Sequence, residues 1–415
     1  MEKVTLIGPF KQIITMTGIP LKGAVKDSEL HIVSDGGIII TGSTITKIGD
    51  FELLKESDKI AETITLKGNH VCVPGFIDAH THICFGGSRA KDYAMRNAGK
   101  SYLEIAHAGG GIWDTVTQTR KATQEELTKS TIKLANRHLK NGTTTIEVKS
   151  GYGLSVDEEL KMLRAIKEAN ITALPDLIPT CLAAHMLPKD FQGTETAYLS
   201  EIAERLFPIL KSEKLANRID AFIEESAFSA QDIKDYFNTA RAMHFDITVH
   251  ADQFTPAGSK VAVDYKALSA DHLEASTDNE IATLANSDTI AVALPGASIG
   301  LGCNFTSARK LLDAGAALAI ASDHNPGSAP MGDLLTQASI LGTFQKLTNA
   351  EVLSGITFRA AAALNLSDRG KLEEGLLADF AVFHSDNYQD ILYNQGNLKP
   401  CMVWKKGNLA YDKHN

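Results

Sequence analysis

The sequence predicts an α/β fold: a TIM (β/α)8 barrel carrying a small β-sandwich domain built from both termini. Three observations predict it. Eight short apolar runs alternate with helical stretches between residues 74 and 370, the signature of βα units and a parallel sheet. The flanking segments, 1–73 and 371–415, read instead as short strands punctuated by turn residues. Polar residues able to bind metal or move protons follow most of the eight runs, where a barrel places its chemistry.

The elements follow in order. Val4–Ile7, Ile38–Ile40, Ile45–Ile48 and Ile64–Leu66 are β-like but too short to bury themselves. Asp379–Phe383 and Cys401–Trp404 supply partners from the far end, with Lys406-Gly407-Asn408 as a hairpin turn. Val71, Val73, Phe76, Ile77 and Ala79 read as one buried strand passing through Pro74 and Gly75. The barrel strands fall at about Phe76–Ala79, Thr144–Val148, Leu177–Thr180, Ile219–Ile223, Ile247–Val249, Ala267–Ala270, Ile290–Leu294 and Ala317–Ala321. Helices are predicted over Glu125–Leu139, Val156–Glu168, Thr196–Lys211, Ala230–Met243, Thr277–Ala285 and Ser307–Ala314. A doubly wound sheet would share this alternation, so the strand ends have to decide.

Composition narrows the function. With 41 Lys and Arg against 50 Asp and Glu, the net charge is -9 and no basic run tracks a phosphate backbone, so nucleic acid is not an expected partner. No apolar run nears the ~18 residues that span a bilayer. The opening MEKVTLIGPF lacks the basic-then-apolar pattern of an export signal, and the expectation is a cytoplasmic protein without membrane partners. Cys72, Cys84, Cys181, Cys303 and Cys401 are scattered without a Cys-x-x-Cys pair, which suits core packing.

His80 and His82 close strand one. Residues two apart on a strand share a face about 6.6 Å apart, which suits two imidazoles converging on one metal. Strand two runs into Tyr152, strand three into His185, and strand four into Glu224 and Glu225. Strand five ends in His250 and Gln253, strand six in His272, and strand eight in Asp323 and Asn325. Three imidazoles, His80, His82 and His250, with the Asp323 carboxylate suit Zn²⁺ or iron better than Mg²⁺ or Ca²⁺. His31, His70, His107, His138, His244, His384 and His414 lack this placement and read as structural.

With those motifs in place the chain resembles the amidohydrolase superfamily, and more closely its imidazolonepropionase family. The resemblance is carried by Pro74-Gly-Phe-Ile-Asp-Ala-His-Thr-His82, Phe85–Arg89, Ala108–Ile112, Glu147–Leu154, Ala183–His185, Val249–Gln253, Ser322–Ser328 and Gly375–Phe380. It implies water-dependent opening of the ring of 4-imidazolone-5-propanoate to N-formimidoyl-L-glutamate, in histidine breakdown. It implies also one Zn²⁺ or Fe²⁺/Fe³⁺ per chain, a homodimer, and a small-molecule substrate. Arg89 and Tyr152 would hold the propionate and His185 the ring, while Asn325, Gly327 and Ser328 would touch the opened product. Asp323 would take a proton from water and His272 would orient that water or polarise the ring carbonyl. Gln253 stands where some family members carry Glu, and a neutral amide can bind substrate but not act as a base. Binuclear superfamily members use a modified lysine after strand four; Ala221–Ser226 contains none, so one metal is expected.

Two other readings use the same fold. A ring deaminase would share the metal and water, yet a nucleobase has no propionate for Arg89. A non-catalytic scaffold would have lost ligands, and all four are present. Gly296–Gly302 does not match a phosphate-binding fingerprint and, like Gly109–Gly111, reads as a mobile loop near the barrel mouth.

Overall fold

The computed structural model describes residues 3–225 and 227–413; Met1, Glu2, Ser226, His414 and Asn415 lie outside the described residues. Two eight-stranded sheets organise the chain. The first is the predicted parallel array, Phe76–Asp78, Thr143–Lys149, Asp176–Ala184, Arg218–Phe222, Asp246–Ala251, Ser269–His272, Ile290–Ala293 and Leu318–Ile320, each strand paired with the next. These are barrel strands one to eight. All eight predicted runs are strands, and helices such as Gln124–Lys140, Val156–Thr172 and Glu195–Ser212 pack outside them. Capping boxes at Thr123 and Thr277 start two of those helices by satisfying first-turn amides.

Strands one and eight meet beyond their assigned ends. Asp323 N donates to His80 O at 3.0 Å, and His82 N donates to His324 O at 2.9 Å. Ser322 N donates to Asp78 Oδ1 at 2.9 Å. The hydrogen bonds that join these two strands therefore also fix His80 and His82 beside Asp323.

The terminal segments form the second, mixed sheet, in the order Asn408–Asp412, Met402–Lys405, Phe380–His384, His70–Pro74, Val4–Ile14, Ile32–Thr41 and Thr44–Asp50, with Glu62–Thr65 also on Val4–Ile14. The Thr44–Asp50 edge closes onto the segment leading into Phe380–His384, where Ile45 N donates to Leu376 O and Ala378 N to Ser43 O. That closure gathers Phe10, Ile38, Phe380 and Trp404 into one apolar core. The predicted hairpin is present, with Lys406 and Gly407 both at positive φ as a two-residue turn matching strand twist requires.

The single strand read across Pro74 and Gly75 is two strands. His70–Pro74 belongs to the terminal sheet and Phe76–Asp78 to the barrel. Gly75 makes the crossing, where a Cβ would strike the Thr144 side chain. Continuous apolar character could not reveal a change of sheet.

Asp176 ties the two sheets together at the start of barrel strand three. It lies 2.6 Å from Arg369 Nη1, 2.9 Å from Lys405 Nζ and 2.7 Å from Lys406 Nζ. Partial burial opposes its charge, but these cations outweigh that and hold its carboxyl well below the ordinary range. A depressed carboxylate stabilises the fold above its unfolded pKa, and the contribution fades as pH falls toward the folded value. Asp176→Asn is expected to cost about 2 kcal/mol at pH 7, between the values for exposed and buried pairs. Urea unfolding at pH 7 and pH 3 checks this, with the difference from wild type shrinking at pH 3.

Candidate metal centre and active site

The four predicted metal ligands converge. Ring nitrogens of His80, His82 and His250 lie within 4.8 Å of one another. Nε2 of His82 is 3.2 Å from Nε2 of His80 and 3.4 Å from Nε2 of His250. Asp323 Oδ1 is 3.6 Å and 3.5 Å from Nε2 of His80 and His82. All four residues are buried.

Their outer nitrogens explain the orientation. His80 Nδ1 is 2.6 Å from Asp271 Oδ2, and His250 Nδ1 is 3.0 Å from Asp220 Oδ2. Each carboxylate favours the Nδ1–H tautomer, which leaves the Nε2 lone pair facing the centre, as a metal ligand needs. Burial drives the pKa of His80 and His82 well below 6.5, with Lys149 and His250 respectively the next contributors. Burial also takes His250 down to about 3, against the pull of Asp220. Neutral imidazoles are thus the resting form at neutral pH, the form that binds cations. Burial raises the Asp323 carboxyl to about 6, opposed chiefly by His272. A cluster of lone pairs facing one another beside a carboxylate fits Zn²⁺ or iron.

A cavity of about 670 Å³ opens above these residues. His82, His250 and Asp323 line it together with Arg89, Tyr152, His185, Gln253, His272, Asn325, Gly327 and Ser328. Every predicted site residue except the deeper His80 is therefore on its wall.

Local structure positions each of them. Glu159 accepts from the backbone N–H groups of Gly151, Gly153 and Leu154, at 3.1, 2.8 and 2.8 Å, and so shapes the loop that presents Tyr152. His185 Nδ1 is 2.9 Å from Gly151 O, and its ring stacks on His82 with centroids 5.6 Å apart. Burial lowers the pKa of His185 to about 4, so a neutral ring faces the cavity. Arg89 Nε donates to Asp92, whose Oδ2 also accepts from Gly111 N at 2.8 Å. Asn325 Oδ1 accepts from the N–H groups of Gly327 and Ser328, both at 2.8 Å, folding the loop after strand eight.

Of the two glycine segments, Gly109–Gly111 lies in a loop, as expected, whereas Gly296–Gly302 does not. Pro295–Leu301 is a short helix, started by Pro295 and ended by Gly302 in the left-handed conformation. A Cβ on Gly296 would overlap the Ser322 carbonyl oxygen, and one on Gly300 that of Ser328. Arg96 Nη1 donates to Gly300 O at 2.7 Å. Close backbone approach to the strand-eight loop, rather than freedom, explains these glycines. Gly110 likewise packs tightly on Asp92, and its neighbour Gly111 is buried.

Sequence alone gives no role to Asp92, Asp220, Glu274 or Lys149. Asp220 carries a usable signal, a carboxylate between the apolar residues Ile219 and Ala221 of a buried strand. Asp92 and Glu274 carry none, because their partners are set by tertiary packing. Glu274 Oε1 lies 3.4 Å from His272 Nδ1. Burial disfavours charge on His272, but Glu274, Asp323 and Asp271 together outweigh it and raise the pKa above 6.5. Of the structural histidines, His138 is buried with its Nε2 2.8 Å from His324 Nδ1.

An eight-stranded barrel with this donor set at its C-terminal mouth defines a metal-dependent amidohydrolase, and residues 71–410 match the amidohydrolase family model. The chain belongs to that family. It is 36% identical over 410 residues to the imidazolonepropionase of Alkaliphilus oremlandii, covering 97% of each chain. It is 38% identical over 386 residues to that of Acinetobacter baumannii, covering 92% of this chain and 96% of the relative. Within the amidohydrolases, it is a member of the imidazolonepropionase family. Solved structures share the fold at lower identity. An atrazine chlorohydrolase from Arthrobacter aurescens TC1 complexed with zinc matches at TM-score 0.68 and 15% identity, over 98% of this chain and 95% of that one. An adenosine deaminase from Xanthomonas campestris with bound zinc matches at TM-score 0.72 and 16% identity, over 98% and 92%.

Proposed function

We propose that this chain hydrolyses the cyclic amide of 4-imidazolone-5-propanoate to N-formimidoyl-L-glutamate in histidine degradation. The observation that carries the reading is one cavity whose floor is the metal donor set and whose wall bears Arg89, Tyr152 and His185. In the net reaction, water oxygen bonds to the ring carbonyl carbon, the ring C–N bond breaks, and protons from water reach the carboxylate and the released nitrogen.

His80, His82, His250 and Asp323 would hold one Zn²⁺ or iron ion. Such an ion lowers the pKa of bound water from 15.7 to about 7 and polarises carbonyls. Asp323 takes the proton that water gives up, with its Oδ2 already 3.4 Å from Ser328 Oγ. His272 orients the water or polarises the carbonyl, held by Glu274. Arg89 pairs with the propionate, and Tyr152 assists. His185 and Gln253 contact the ring, and Asn325, Gly327 and Ser328 contact the opened product. Lys149 does not act as a bridging ligand, because its ammonium is buried among carboxylates. That favours a single metal. A homodimer in the cytoplasm completes the proposal; among the described residues no helix is long and apolar enough to cross a membrane.

Metal analysis with a turnover assay tests the reading. One equivalent of zinc or iron and loss of imidazolonepropionate absorbance are expected. Ammonia release from a nucleobase would favour a deaminase instead, and metal-free, inactive protein a scaffold. Arg89→Met is expected to raise KM ~10- to 100-fold, the loss of a charge-assisted hydrogen bond. An unchanged KM would remove Arg89 from the substrate site.

A further inference from the structure

Beneath the metal donors the barrel holds a polar layer in place of the branched aliphatic residues that usually fill such interiors. Glu147 and Lys149 come from strand two, Asp220 from strand four and Asp271 from strand six. All four are 0% exposed. Lys149 Nζ is 2.7 Å from Glu147 Oε1, 2.8 Å from Asp220 Oδ2 and 3.7 Å from Asp271 Oδ2. The two aspartates are those that approach Nδ1 of His250 and His80. Glu147 is tied to the intervening Thr81, accepting from its N–H at Oε2 and from its Oγ1–H at the backbone carbonyl, at 3.4 and 2.6 Å. Lys149 N in turn donates to Thr81 O at 2.9 Å.

We infer that Lys149 is a positioning residue of the metal centre: its ammonium balances three buried carboxylates so that Asp220 and Asp271 stay within reach of the outer nitrogens of two metal ligands. This rests on the metal reading of His80, His82, His250 and Asp323. Burial lifts the carboxyls of Glu147 and Asp271 above their ordinary values, with Asp220 and Glu147 adding to the shift of Asp271, while Lys149, and for Glu147 also the buried Arg218, oppose it. A buried charge left without its partner is among the costliest local defects. With the ammonium in place, Asp220 has a cation on one side and His250 on the other. Without it, repulsion from Glu147 works directly against the placement of both aspartates. Burial opposes the charge on Lys149, yet Asp220, Glu147 and Asp271 together outweigh it and keep its pKa above the ordinary lysine value. Lys149 lines no part of the substrate cavity and reaches none of the reacting atoms. Its influence passes through the aspartates, and removal of such outer partners typically costs 10- to 100-fold in metal affinity.

The test is zinc affinity by chelator competition in the full-length protein, which does not depend on turnover. Lys149→Met is expected to weaken Zn²⁺ binding ~10- to 100-fold. Glu147→Gln combined with Lys149→Met restores the layer's formal charge while leaving the same methionine in place, and is expected to recover most of that loss. A purely space-filling role predicts no recovery, because the altered packing is identical. Should Lys149→Met not fold, the double variant decides: folded protein binding zinc within about tenfold of wild type supports the inference. Unchanged affinity in Lys149→Met, or a double variant that fails to fold or binds no better than the single one, overturns it. Wild-type protein that binds no zinc or iron would instead overturn the metal reading itself.

Discussion

Replacing Asp323 with asparagine is expected to lower kcat by ~10²- to 10⁴-fold, the range for loss of a positioned general base. Asparagine keeps the shape and one oxygen donor but cannot accept the proton that water gives up at neutral pH. Asp323 is suited to the task because its backbone is locked where strands one and eight meet, with its N–H on His80 O. Burial raises its carboxyl above the ordinary value, and a bound cation would pull it back toward the carboxylate form that accepts a proton. The substrate contacts proposed for Arg89 and Tyr152 are untouched, so KM should change far less than kcat. Metal content measured beside turnover separates the two roles of this residue. Metal-loaded Asp323→Asn with turnover within about tenfold of wild type would show that the proton goes elsewhere.

The barrel and the cluster proposed to hold metal are legible in sequence because both are written locally. A parallel strand buried on two faces reads as an apolar run, so His80, His82, His250 and Asp323 can be picked out at the end of a run or within a few residues past it. What was not legible depends on partners brought together by register. Asp220 and Asp271 stand on different strands from the histidines they orient, and only the barrel's stagger aligns them. Gly300 looks like a flexible position in sequence; the Ser328 carbonyl oxygen that needs its missing Cβ is 28 residues away in the chain. The crossing at Gly75 was hidden because both sheets bury their strands there, giving Val71, Val73, Phe76 and Ile77 the same apolar character. Asp176 resembles an ordinary strand-entry residue until the C-terminal Lys405 and Lys406 fold back onto it.

His272 carries the second large effect. Unlike the four donors it sits beside the cluster, with its ring centroid 5.4 Å from that of His250 and 5.8 Å from that of His80. Its backbone has φ 88, and the Thr306 hydroxyl donates to its carbonyl at 2.6 Å. With its backbone held in this uncommon conformation and Glu274 beside its ring, His272 lines the cavity. His272→Ala should therefore leave one equivalent of metal bound and KM nearly unchanged while lowering kcat ~10²- to 10³-fold, as for loss of one preorganised donor or proton-transfer group. The split matters more than the size. Loss of metal would place His272 among the ligands, and a rise in KM alone would make it a substrate contact. Near-normal turnover with metal bound would exclude both the water-orienting and the carbonyl-polarising role, leaving Asp323 to act without it.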